Sequence, residues 1–205
     1  ARAGAAAPAT GPALLPVAAG LEELLPDGAL RRGSLVEVVG PPGLALGLAA
    51  TPVRAGAWAA CVGLPHLGWS AVAAAGVELS RTVVVEAPVR RWSAVMATLV
   101  ESVDMVLCGP DPAPDGTAVR RLLARVRERG AVVVLVGAAR GGWVGRADVR
   151  LEVVGTKWDG LGQGWGRLHG ARTTVECTGR RGASRVRRVE VVLPGQGSQA
   201  VGEAV

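Results

Sequence analysis

Short runs of consecutive valine and leucine residues recur along this 205-residue chain, and helical patterns separate them. Clear examples are Met105–Cys108 and Ala131–Val136, which contain no charged residue. Strands that are apolar on both sides occur in sheets covered on both faces, and strands that alternate with helices form parallel sheets. The pattern therefore predicts an α/β fold, with helices flanking a mostly parallel central sheet.

The most regular helical pattern covers residues 117–129, where apolar residues form one face and arginines the other. Beyond Gly137 the helical patterns stop. Three apolar-rich segments, at 149–154, 167–177 and 185–193, then predict strands. We expect the last two to form an antiparallel C-terminal hairpin.

Both ends of the chain have the composition of loose tails. Residues 1–20 are rich in alanine and proline and lack the continuous apolar segment of a signal peptide, and residues 195–205 are rich in glycine and polar residues. We predict disordered tails over 1–20 and 195–205 around one domain over 21–194. No apolar run approaches the roughly 18 residues of a membrane-spanning helix, so we expect no membrane association.

A glycine-rich turn follows the predicted strand Ser34–Val39, in the strand–turn–helix context of a phosphate-binding loop. That loop requires the pattern G-x-x-x-x-G-K-[ST], in which lysine binds phosphate and the hydroxyl binds Mg²⁺. In this chain Leu46 takes the lysine position and Gly47 the hydroxyl position, and the single lysine is Lys157. We therefore expect a degenerate P-loop and no cofactor. Its residues are Gly40, Pro41, Pro42, Gly43, Leu44, Ala45, Leu46 and Gly47.

The segment from Leu24 to Gly109 resembles the core of RecA, read in order. L-L-P-D-G-A-L-R-R-G-S-L-V-E-V-V-G-P resembles the segment that leads into the RecA P-loop, and V-D-M-V-L-C-G-P resembles its Walker-B strand. The resemblance implies a RecA-like fold. It places the Walker-B aspartate on Gly109 and the water-activating glutamate at about Leu64. Because these positions and the loop are all altered, it implies a pseudo-ATPase and not an enzyme.

Short RecA-like chains with altered loops are similar to the ImuA group, and the arginine-rich, lysine-poor composition is similar to its actinobacterial ImuA-prime branch. This resemblance implies a cytoplasmic accessory protein of a damage-inducible translesion-synthesis mutasome, with roles in DNA repair, the SOS response and mutagenesis. The implied partner is an ImuB-like inactive Y-family polymerase homologue. RecA, an error-prone replicative-type polymerase and DNA are further implied partners, bound directly or indirectly.

Two other functions stay open at this point. The first is a SulA-like inhibitor of cell division, because SulA is a related degenerate member of the same superfamily. The second is a divergent NTPase or dinucleotide-binding enzyme. The spacing of Gly40, Gly43 and Gly47 does not fit the dinucleotide pattern G-x-G-x-x-G, and no acidic residue follows the second strand.

Positive charge is concentrated in the second half of the chain. The formal charge is +6, with 7 basic and 8 acidic residues in 1–110 but 16 and 9 in 111–205. Such an excess favours nucleic acid or an acidic protein as a partner. The alternative is an arginine-rich surface that is merely solvated.

Ten residues in this half are candidate contacts for a protein partner or DNA. Arginine beside tryptophan suits phosphate contact and base stacking, and exposed tryptophan is typical of protein-binding hot spots. The alternatives are a solvated hairpin edge and tryptophans that belong to the core. The candidates are Arg140, Trp143, Arg146, Trp158, Trp165, Arg180, Arg181, Arg185, Arg187 and Arg188.

The three cysteines, Cys61, Cys108 and Cys177, are far apart and form no C-x-x-C pair. This usage predicts small buried residues in a reducing cytosol. Because the chain has only two histidines, we expect no transition-metal site.

Overall fold

The computed structural model describes residues 13–86, 91–161, 166–180 and 185–194. Short 3₁₀ turns include Glu22–Leu24 and Gly141–Trp143. The helices are Pro42–Arg54 (α1), Trp69–Ala74 (α2), Trp92–Ser102 (α3) and Gly116–Arg129 (α4). The strands are Leu14–Pro16 (β1), Ala29–Arg31 (β2), Leu35–Val39 (β3), Ala59–Val62 (β4), Thr82–Val85 (β5), Met105–Cys108 (β6), Val132–Val136 (β7), Val149–Leu161 (β8), Gly166–Gly179 (β9) and Arg187–Pro194 (β10).

Strands β3 to β10 form one eight-stranded sheet in the order β10-β9-β8-β3-β7-β6-β4-β5. The six consecutive strands of this sheet that run from β8 to the edge strand β5 pair in parallel. Strand β9 pairs antiparallel with both β8 and β10. The predicted α/β class, the mostly parallel sheet and the antiparallel C-terminal hairpin are therefore confirmed.

The apolar runs form the strands at the centre of the sheet because both of their faces are covered. Every residue of β6 and β7 is buried. Helices α1 and α2 contribute buried residues to the core on one face of the sheet, and α3 and α4 contribute to the core on the other. None of the helices in the described ranges is both long and apolar enough to cross a membrane.

Helix α4 begins at a carboxylate cap. The side chain of Asp115 accepts hydrogen bonds from the backbone N–H groups of Ala118 at 2.8 Å and Thr117 at 2.7 Å. These bonds lower the pKa of the Asp115 carboxyl, because they stabilise its charged form. The helix ends at Gly130, which has the left-handed conformation at φ 69°.

Residues 1–20 are predicted to be disordered. That prediction is wrong for the part of the segment that the structure describes, which begins at residue 13. β1 pairs antiparallel with β2, with Leu15 opposite Leu30, and both Leu15 and Val17 are buried in the core. Burial of these apolar side chains offsets the weak ordering tendency of an alanine- and proline-rich sequence. Residues 1–12 and 195–205 lie outside the described residues.

Candidate functional site

The turn that the sequence aligns with a P-loop is much shorter than eight residues. β3 ends at Val39 and α1 already begins at Pro42, with Pro41 as its extended N-cap. A phosphate-binding loop presents several backbone N–H groups to its ligand, and proline has none. Gly40 is the only one of residues 40–42 with an N–H group, so the turn itself offers a single backbone donor to a phosphate.

The lysine position of the motif lies inside the hydrophobic core. Leu46 belongs to α1 and is 3% exposed, with Leu44 and Ala45 equally buried beside it. A Cβ on Gly47, at the hydroxyl position, would lie 3.5 Å from the side chain of Leu21. An ammonium group at residue 46 would be removed from water without a partner. Helix α1 therefore contributes the side chain at the lysine position of the motif to the core.

Close packing requires glycine at two further positions, at the carboxyl ends of β3 and β6. A Cβ on Gly40 would lie 2.7 Å from Cγ2 of Val153, which belongs to β8. A Cβ on Gly109, at the Walker-B aspartate position, would lie 2.6 Å from the carbonyl oxygen of Gly63. Both distances are clashes, so neither position accepts a side chain unless its neighbours move.

The carboxyl edge of the sheet forms an open groove of about 510 Å³. Ligands of open α/β folds bind at this edge. Here glycine, proline and leucine dominate the walls, and the ionisable lining residues are His66 and Asp111. Leu64, at the position of the water-activating glutamate, packs partly buried against the core. Within the described ranges, no group of histidine, cysteine, aspartate and glutamate is arranged to hold a metal ion.

The carboxylates near the strand ends have structural partners. Glu37 in β3 is 5% exposed, and it accepts hydrogen bonds from the backbone N–H of Ala139 at 2.9 Å and from Arg150 at 2.6 Å. Asp104 pairs with Arg32 at 2.9 Å. A buried carboxylate such as Glu37 would be costly without such partners. These residues therefore hold strands and loops together and do not face the groove as an acid–base pair.

All three thiols are buried and free of disulfides. Burial raises the pKa of Cys61 to about 11 and that of Cys108 to about 12, and it raises the pKa of Cys177 as well. Because the thiolate is the reactive form, these thiols are inert near neutral pH. The prediction that the cysteines are small buried residues is confirmed.

The prediction that Trp143 is a surface contact is wrong. Its side chain is 1% exposed, and its ring lies edge-on to Trp92 with centroids 5.6 Å apart and planes at 84°. The 3₁₀ turn that carries it packs on the start of α4, where the N–H of Gly142 donates to the carbonyl of Pro114 at 2.7 Å. The indole therefore anchors the loop between β7 and β8, and it cannot stack on a base.

The two arginines that flank Trp143 have different surroundings. Arg140 is exposed and lies 3.6 Å from the Asp111 carboxylate. Arg146 is half-buried, and its guanidinium lies 4.0 Å from where a Cβ on Gly116 would be, at the start of α4. Trp165 and Arg181 lie outside the described residues, and only the backbone of Trp158 is described, within β8.

The arginines of the C-terminal hairpin do not form one free patch. Arg187 is half-buried and donates to the carbonyl of Leu25 at 2.6 Å, which ties β10 to the N-terminal segment. Arg188 pairs across the hairpin with Glu176. Arg180 reaches instead toward the loop between β7 and β8, where it donates to the carbonyl of Gly145. Arg187, one of the candidate partner or DNA contacts, is thus engaged in a contact within the fold.

A second group of arginines lies along α4, on the polar face that the sequence pattern predicts. Glu128 is the one carboxylate among the exposed residues of this helix. At its C-terminal end, Arg127 and Arg180 line a common cavity of about 230 Å³. Five arginines, which we call the α4 basic face, are exposed here: Arg120, Arg121, Arg125, Arg127 and Arg129.

Two comparisons with known proteins match the α/β unit that carries these features. The family model described as the MT3502 N-terminal domain matches residues 23–145, which is more than half of the chain. The protein named "Uncharacterized protein Rv3395c", from Mycobacterium tuberculosis (strain ATCC 25618 / H37Rv), is 29% identical over 167 residues. That match covers 77% of this chain and 80% of the relative.

Proposed function

The chain belongs to the MT3502 N-terminal domain family, and we propose that it is a non-catalytic accessory protein with a RecA-like core that works by binding other macromolecules. The resemblance of residues 24–109 to RecA supports this description of the core. The sheet order supports it as well, because β3 lies within the parallel part of the sheet and only β7 separates it from β6, the strand that resembles Walker B.

The observation that carries the proposal is the burial of Leu46 in the core. Hydrolysis of ATP requires positive charge and a positioned metal at the transferring phosphoryl group. In this chain the lysine position is apolar and inaccessible, and the Walker-B position Gly109 has no room for a side chain. The sheet and helices around this site are intact although the site lacks the groups for hydrolysis. This combination favours a role in binding other macromolecules.

The resemblance to the ImuA group, and to its ImuA-prime branch, supplies the proposed partners. We propose direct association with an ImuB-like protein. RecA and an error-prone replicative-type polymerase would join the same assembly directly or through that protein. The proposed setting is damage-inducible translesion synthesis in the cytoplasm.

Titration with MgATP should show no saturable binding below the millimolar range, and phosphate release should equal that of the buffer blank. Each charge-assisted contact that the altered loop has lost would contribute roughly 1.5–3 kcal/mol. RecA with an intact P-loop, titrated under the same conditions, is the positive control. Micromolar affinity for MgATP would instead support the divergent NTPase.

A capture experiment tests the partner. The immobilised chain should retain a purified ImuB-like protein and should not retain an FtsZ-like protein, the target that a SulA-like inhibitor would need. An unrelated protein of similar basic charge on the same matrix controls for nonspecific adsorption. Retention of the FtsZ-like protein alone would refute the mutasome assignment in favour of the cell-division inhibitor.

A further inference from the structure

The α4 basic face has a strong local excess of positive charge. Its five arginines are exposed along 10 residues of one helix, from Arg120 to Arg129. Glu128 shares the exposed face, Asp115 caps the start of the helix, and Glu101 lies opposite on α3. These carboxylates leave the helix surface with a net positive charge.

Most of these guanidinium groups are not engaged in ion pairs. Arg125 lies 3.9 Å from Glu101, a distance at which an exposed pair contributes little. Arg120 donates to the hydroxyl of Thr117 at 3.0 Å. Within the described residues Arg121, Arg127 and Arg129 form no ion pair, so their charge faces solvent.

Further arginines extend the charge at both ends of the helix. Arg146 approaches the first residue of α4, as described above. At the other end, Arg127 lines the 230 Å³ cavity together with Arg31, Arg32 and Arg180. Arg31 and Arg32 have carboxylate partners, and Asp27 and Asp148 also line this cavity, so most of the positive charge comes from the residues of α4. The basic surface therefore spans the length of the helix.

The chemistry of this surface distinguishes among anionic partners. In protein interfaces arginine is usually accompanied by aromatic or large apolar side chains, whereas the exposed residues of α4 are arginine, alanine, threonine and glutamate. Binding of single-stranded nucleic acid relies on aromatic side chains that stack on bases. Among the side chains that the structure describes, Trp92 and Trp143 lie in the core beneath α4, and they are buried against each other. Contact with a regular phosphate backbone requires only the arginines.

We propose that the α4 basic face binds the phosphate backbone of double-stranded nucleic acid, without reading its sequence. Arg121, Arg125 and Arg129 follow one another at intervals of four residues, which separates them by about 6 Å along the helix axis. Such a row can contact successive phosphates along one strand. This proposal goes beyond the accessory function, and it would stand even if the protein partner proved to be different.

Fluorescence anisotropy with a labelled DNA duplex of about 20 base pairs, at several salt concentrations, tests this surface. We expect the variant R121Q/R125Q/R129Q to bind the duplex at least tenfold more weakly at about 100 mM salt. The negative slope of log association constant against log salt concentration should become less steep by about 3. The variant R121K/R125K/R129K keeps the charge, so it should retain most of the affinity and the slope.

The matched comparison is R172Q/R185Q/R188Q, which removes the same charge from exposed positions of the C-terminal hairpin. Arg185 and Arg188 are candidate DNA contacts from the sequence, so this variant tests the hairpin against α4 as the duplex-binding surface. It should bind the duplex within about twofold of the wild type at the same salt concentration. Each variant should melt at the wild-type temperature, because these positions are exposed. Should the α4 variant unfold, the three single Arg→Gln variants provide the same comparison.

Three outcomes would overturn the proposal. In the first, the α4 and hairpin variants lose affinity equally, which indicates an effect of net charge alone. In the second, a single-stranded oligonucleotide of the same length binds more tightly than the duplex. In the third, polyglutamate competes as well as the duplex at equal charge concentration, which indicates an acidic protein as the partner.

Discussion

Replacement of Leu46 with lysine is expected to lower the free energy of unfolding by about 4 kcal/mol or more, and to create no affinity for MgATP. The side chain of Leu46 is 3% exposed and packs in the core between α1 and the sheet. Lysine at this position would lose the leucine contacts and would bury an ammonium group that has no partner. Urea unfolding followed by tryptophan fluorescence measures the change, and MgATP titration of the variant measures binding.

The conservative change Leu46→Met is the control for this experiment. It keeps an apolar side chain of similar volume, so it should lower the free energy of unfolding by less than about 1.5 kcal/mol. The view of α1 as a core helix would be refuted if the lysine variant were as stable as the methionine variant. Micromolar affinity of the lysine variant for MgATP would show that the loop retains the geometry of a nucleotide site.

Replacement of Trp143 with alanine is expected to lower the free energy of unfolding by about 3–5 kcal/mol. The side chain is almost completely buried and packs edge-on against Trp92, so its removal leaves a large cavity between the loop and α3. Thermal and urea unfolding measure the loss. If Trp143→Ala keeps the wild-type stability but binds its partner less well, the tryptophan belongs to an interface after all.

The variant Trp143→Phe separates packing from hydrogen bonding. Among the described residues, the Nε1–H group of Trp143 is the one buried side-chain polar group without a hydrogen-bond partner. Phenylalanine removes this donor and keeps an aromatic ring beside Trp92. We therefore expect a much smaller loss of stability than for alanine.

The sequence predicts the central sheet well because runs of apolar residues directly reflect strands that are buried on both faces. Apolar runs such as Val132–Val136 must be covered on both sides, and the intervening helices supply that cover. The boundaries near the P-loop position are predicted less well. Eight letters can be aligned with the motif, but only the structure shows that the helix already begins at Pro42 and turns Leu46 inward.

Local composition does not predict the burial of two segments, because tertiary packing determines it. Trp143 lies among glycines between two arginines, and this pattern is the same for a stacking residue and for an anchor buried beneath a loop. Leu15 and Val17 are isolated in an alanine- and proline-rich stretch, yet both are buried in the core. The sequence shows the arginines of α4 as one face of a helix. It does not show that Arg146, from the loop between β7 and β8, and Arg180, which follows β9, lie near the two ends of that helix.

The close approach of Gly109 to the Gly63 carbonyl bears on the direction in which such a chain can evolve. Restoring a Walker-B aspartate there by one substitution would displace the backbone before any catalytic benefit arose. Restoring a lysine at Leu46 would first destabilise the core. Each substitution is expected to be harmful by itself, so a nucleotide site at this edge of the sheet would require several changes together. A single substitution at either position is therefore expected to destabilise the fold before it could contribute to nucleotide hydrolysis.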